Sequence, residues 1–116
     1  MRLVQLKWYL RTIVNALLDQ AVHVDGISRN AAMKLMTETG FQEEREAAGK
    51  WTRAQLTSAQ LPVYFVGAQE HLALRAEAEQ RAGAAFNLQA YHDRLLSFGS
   101  PPVRFARQLL FDLPVE

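Results

Sequence analysis

Apolar residues recur at helical spacing along the first segment, where Leu3, Leu6, Leu10, Ile13, Val14, Leu17 and Ala21 share a face. Gln5, Arg11, Thr12, Asn15 and Asp19 fall largely elsewhere on the wheel. The pattern predicts an amphipathic helix ending near His23, because Gly26 after Asp25 can take the left-handed stop conformation. Ser28 has the right chemistry to cap a short second helix, whose apolar face is Ala31, Ala32, Leu35 and Met36, up to Gly40. Residues 41–55 are rich in Glu, Arg and Ala and contain Trp51; they predict a mostly exposed helix with Gly49 as its weak point.

Thr57 or Ser58 can cap a longer helix reaching about Ala82, with Pro62 kinking its first turns and Gly83 stopping it. Asn87 is placed to cap a helix through Leu88, Tyr91, Leu95 and Leu96 that stops at Gly99. A final helix is expected from the pair Ser100-Pro101, a cap followed by a proline at the first helical position, with Val103, Phe105, Ala106, Leu109 and Leu110 as its buried stripe. The whole reads as an all-α, compact array of about six helices in one domain, residues 1–116, without repeats or long linkers.

Composition agrees with an ordered domain. Of 116 residues, 49% are hydrophobic and 22% charged, far from the profile of a disordered chain. Thirteen basic residues face 12 acidic ones, so the formal charge of +1 argues against a nucleic-acid or anionic-membrane partner. Without cysteine there is no disulfide framework, no thiolate metal ligand and no cysteine nucleophile. Arg2, Gln5 and Lys7 interrupt the N-terminal segment, which lacks the continuous apolar stretch of a signal peptide, and no run reaches the roughly 20 apolar residues of a membrane span. The expected location is the cytoplasm.

His23, His71 and His92 are the three histidines, and none stands at the i, i+4 spacing that puts two imidazoles on one helix face. Glu70-His71 does not complete a His-Glu-x-x-His motif. No phosphate loop or nucleophile elbow occurs, so neither metal nor cofactor is expected in this chain. The most informative stripe is Gln60, Tyr64, His71 and Arg75, which fall within roughly 60° on an ideal helix, with Gly67 on the same face. Close helix packing beside a partly exposed face explains that stripe as simply as a binding site does.

The run from Arg53 through Gln60 and Tyr64 to Gly67, followed by Leu74 and Arg75, resembles the bacterial domain-of-unknown-function family 885. Phe86-Asn87-Leu88, then Tyr91-His92-Asp93, then Gly99-Ser100-Pro101-Pro102 look like that family's Phe-Asp-Leu, Phe-His-Asp and Gly-x-Pro-Pro pattern. Upstream, Asp19, His23 and Gly26 look like its Asp-x-x-x-His-x-x-Gly stretch. Ala54 and Ser58 depart from a common tyrosine and a common proline. The resemblance implies larger helical proteins similar to zinc metallopeptidases, whose metal-binding helix precedes the region matched; this chain lacks that helix.

On that resemblance Tyr64 would donate a hydrogen bond to a developing oxyanion, Arg53 or Arg75 would bind a substrate carboxylate, and His23 and His92 would either orient substrate or neighbouring side chains or equally well make structural hydrogen bonds, with Gln60 and His71 as nearby contacts. The favoured expectation is a noncatalytic, stand-alone helical module that self-associates as a homodimer through the wide apolar stripe of its first helix. The alternative is the substrate-binding C-terminal part of a metallopeptidase-like hydrolase whose metal site lies on a missing upstream segment.

Overall fold

A computed structural model describes residues 1–114. Within them the chain forms six α-helices and no strand: α1 (Arg2–Gln20), α2 (Arg29–Lys34), α3 (Glu44–Leu56), α4 (Val63–Ala82), α5 (Leu88–Leu96) and α6 (Val103–Leu110). The all-α expectation holds. The chain divides into two compact units, Met1–Val66 and Gly67–Glu116.

In the first unit, Val14 and Leu18, one helical turn apart on α1, are buried with Ala32, Met36, Ala47, Ala54 and Leu61. Leu10, Val22, Ile27, Met33, Leu35 and Trp51 pack around them. Two helices end in a wider, π-helical turn. After α1, Ala21–Asp25 closes with the Gly26 N–H donating to the Ala21 carbonyl, five residues back, and Gly26 takes a left-handed φ of 65°. After α2, Leu35–Thr39 closes in the same way, the Gly40 N–H donating to the Leu35 carbonyl at 3.0 Å. Such turns insert one extra residue and so rotate the side chains that follow. Ser28 caps α2 as its chemistry predicts, its hydroxyl oxygen accepting from the Ala31 N–H at 3.3 Å.

Three sequence expectations are corrected. Residues 41–43 are not helical; α3 itself is mostly exposed, as expected, but Ala47 and Ala54 are fully buried and Trp51 half-buried, because small side chains on this one face let α3 sit directly on the core. Residues 57–62 do not join the next helix. Thr57 is extended, Ala59 is left-handed with φ 59°, and Pro62 stands before α4 instead of kinking it. The buried Asp19 carboxylate takes the Ala59 N–H at 3.0 Å, a bond that offsets the ~1 kcal/mol cost of a left-handed alanine. Finally, α6 begins at Val103 with Pro102 at its cap position and no side-chain cap, two residues later than expected. A residue preceding proline is driven toward extended backbone, and Ser100 and Pro101 both precede one.

In the second unit, α4 stops at Ala82 and Gly83 turns with φ 53° into a short 3-10 turn, Gly83–Ala85. Asn87 caps α5, its Oδ1 accepting from the Ala90 N–H at 2.9 Å, and Gly99, with φ 78°, lies beyond the end of that helix. Leu74, Ala78, Tyr91 and Ala106 are buried. Glu77 on α4 ties down α6 by accepting from Arg107 Nε at 2.7 Å and Nη2 at 2.8 Å, while Arg81 donates to the same carboxylate. Both guanidiniums hold the Glu77 carboxyl below its ordinary range, the Arg107 hydrogen bond most of all.

Candidate functional site

The first unit contains a cleft of about 390 Å3 between α1, α3 and the chain entering α4, lined by Trp8, Arg11, Thr12, Asn15, Lys50, Arg53, Gln60, Leu61 and Tyr64. Its cations come from two helices. Arg11 lies on α1 with its guanidinium 4.7 Å from the Trp8 ring centroid, and Lys50 and Arg53 lie on α3. Arg53 Nη2 donates to Gln60 Oε1 at 2.9 Å, which holds the last turn of α3 to the loop before α4. Tyr64, in the first turn of α4, is 72% exposed.

Lys50 is the least ordinary of these groups. Only 9% of its side chain is exposed, and its ammonium donates to Gln42 Oε1 at 2.5 Å and stands 3.5 Å from Glu46. Burial lowers its proton affinity, and the neighbouring Arg11 and Arg53 cations push the same way against Glu46. Glu46 also pairs with Arg11. Two of the three cations, Arg11 and Lys50, therefore share one carboxylate, while Arg53 is held by Gln60, and Asn15 Oδ1 is buried without a hydrogen-bond partner among the described residues. Chemically the cleft is prepared for an anion, and Lys50 gains most from one, since a negative charge relieves both its desolvation and its cationic neighbours.

The helical stripe singled out from spacing crosses the boundary between the two units. Arg53, Gln60 and Tyr64 share the cleft of the first unit. His71 and Arg75 belong to the second. There, Arg75 Nε donates to Glu79 at 2.8 Å, and His71 lines a cavity of about 260 Å3 with Leu95, Leu96 and Pro101. Gly67 has nothing within 4 Å of where a Cβ would sit, so no close approach explains it.

His92 is exposed on α5, its ring centroid 5.5 Å from that of Tyr91. His23 lies in the π-helical turn, where Nε2 donates to the Thr57 carbonyl at 3.0 Å. Together with Asp19, one turn earlier, it grips both sides of the bend at 57–59 that leads to Gln60 and Tyr64. Spacing did not single out Asp19, Lys50, Arg11 or Asn15. Asp19 read as a surface residue of an amphipathic helix, and the only hint was its place in the Asp-x-x-x-His stretch.

No group of three or more His, Asp or Glu that could hold a metal occurs among the described residues. The residues present do not fit the zinc that the family resemblance implies, and no reaction step can be derived through it. No helix among the described residues is long and apolar enough to cross a membrane.

The fold and its cleft define an all-helical protein with a cation-rich recess in its first unit. The family described as bacterial protein of unknown function (DUF885) matches residues 1–110, and the chain belongs to that family. Among solved structures, the chain is similar to one from Shewanella oneidensis described as "a putative lipoprotein of unknown function", with 44% sequence identity and a TM-score of 0.87. That similarity covers 90% of this chain but only 19% of the Shewanella protein. No curated protein matches.

Proposed function

We propose that this DUF885 segment is a noncatalytic binding element whose first unit holds the carboxylate of a ligand. The observation that carries the reading is the convergence of Arg11, Lys50 and Arg53 on one recess, where Glu46 pairs with Arg11 and Lys50 and Arg53 has no acidic partner among the described residues. Arg53 supplies a planar donor fork at the exposed side, and Lys50 supplies a desolvated point charge further in. Tyr64 and Trp8 give the remainder of the ligand an amphipathic wall. In a larger metallopeptidase-like hydrolase, the same recess would seat the terminal carboxylate of a peptide while a separate segment carried the metal.

The test compares acetyl-alanyl-alanine with its C-terminal amide, followed by tryptophan fluorescence and backbone amide shifts of the full chain. The acid should bind with shifts around Lys50, Arg53 and Gln60, and the amide should bind at least ~10-fold more weakly. Arg53→Gln and Lys50→Met should each weaken the acid. Equal binding of acid and amide, or no saturable change at millimolar acid, would refute the reading.

A further inference from the structure

The second unit carries an open groove of about 420 Å3 walled by Phe86, Tyr91, Leu110 and Phe111. Its size is that of a small organic ligand, since such sites usually measure ~300–1,000 Å3. The Phe86 and Tyr91 ring centroids are 5.9 Å apart with planes tilted by 46°, a bent aromatic wall against which a flat ring can pack edge to face. Ala82, Ala85 and Ala90 complete the lining without filling it.

Among the described residues, the charged groups that line this groove are both cationic. Arg81 lies over the Phe111 ring at 4.3 Å while its Nε and Nη2 engage Glu77, which Arg107 already neutralises. Arg94 lies over Phe98 at 4.8 Å and has no ion pair among the described residues. Asn87 commits its Oδ1 to the Ala90 N–H, which turns its amide nitrogen into the remaining polar function, a donor. Asn87 and Ala90 also frame the N-terminus of α5, where the aligned peptide dipoles favour negative charge. No carboxylate among the described residues lines the groove. An amine would be repelled there, and a hydrocarbon would leave the donors without an acceptor.

We infer that this groove is a binding site for an aryl carboxylate, with the ring against Phe86, Tyr91 and Phe111 and the carboxylate on Arg94, Arg81 and the start of α5. The site is independent of the recess in the first unit, because it uses none of the same residues.

The experiment titrates the full chain with cinnamate and with cinnamyl alcohol, its uncharged counterpart, while backbone amide shifts are followed residue by residue. Cinnamate should give saturable shifts over residues 86–94 and 110–111, and the alcohol should bind at least ~10-fold more weakly. Arg94→Gln should weaken cinnamate by a similar ~10-fold factor. Ala82→Leu, which occupies the groove, should abolish these shifts; Arg53→Gln should leave them unchanged. The proposal is overturned if shifts stay within residues 1–66, if the alcohol binds as well as the acid, if millimolar cinnamate gives no saturable change, or if Arg94→Gln has no effect. Should Ala82→Leu lose helicity, Arg94→Gln, at an exposed position, decides alone.

Discussion

Replacing Gly40 by alanine should destabilise the first unit for a steric reason, not a conformational one. Its φ of −87° is ordinary for any residue. A Cβ built there, however, would lie 2.7 Å from the Met36 carbonyl oxygen and 3.2 Å from both Val14 Cγ2 and Gln42 Nε2. That carbonyl cannot simply swing away, because it accepts the Gln42 N–H at 3.0 Å. Val14 and Met36 are among the largest fully buried side chains, so they have no free space to yield. Overpacking of this kind costs ~1–3 kcal/mol. Gly49→Ala supplies the opposite sign in the same unit: nothing lies within 4 Å of its Cβ position inside α3, so the substitution should stabilise by ~0.5–1 kcal/mol. Urea unfolding of both variants, followed by the fluorescence of Trp51 packed on this core, should move the two midpoints in opposite directions with an unchanged slope. A Gly40→Ala variant as stable as the parent protein would refute the packing argument.

Asp19→Ala should cost ~1–3 kcal/mol by stranding the left-handed Ala59 N–H, whereas Asp19→Asn keeps an acceptor and should cost less; hydrogen exchange at the Ala59 amide reads the difference directly. Glu77 is an acid whose folded-state proton affinity is depressed, so its contribution is present above its unfolded pKa, about 4, and is lost as pH falls through the still lower folded value. Glu77→Gln should therefore flatten the acid limb of stability for the second unit, measured by circular dichroism across pH; an unchanged acid limb would count against the Arg107 and Arg81 pairing. Leu3, Leu6 and Leu17 are all exposed on α1, and we propose that this face self-associates as a twofold dimer. Light scattering at micromolar concentration should show it, with Leu6→Asp or Leu17→Asp weakening it at retained helicity; a persistent 13.1 kDa species would exclude it.

Local chemistry in the chain was legible wherever it acts over a few residues. Ser28 and Asn87 cap helices because a short acceptor side chain reaches an N–H three positions on, and Gly26 and Gly83 follow helix ends because they accept positive φ. Periodicity was less decisive on α1: of the face it marked, Val14 fell in the core, whereas Leu3, Leu6 and Leu17 are exposed, and Leu18, one turn beyond Val14, is the other buried apolar position. The same local rules failed at residues 57–62 and at α6. A remote carboxylate, Asp19, overrides the capping preference of Thr57 and Ser58 in the first case. Two successive prolines delay the helix in the second.

What the sequence determined by itself was helical class, most helix ends and family. Tertiary structure alone decided which charges are desolvated. Arg11 and Lys50 are far apart in sequence and look like solvated helix charges, yet they meet beside Glu46 because α1 and α3 enclose the same core. Asp19 likewise becomes a buried anchor only when the bend at Ala59 comes down on it, 40 residues away. Periodicity reports which face of a helix a residue occupies; burial and the partners found there depend on what another part of the chain brings to that face.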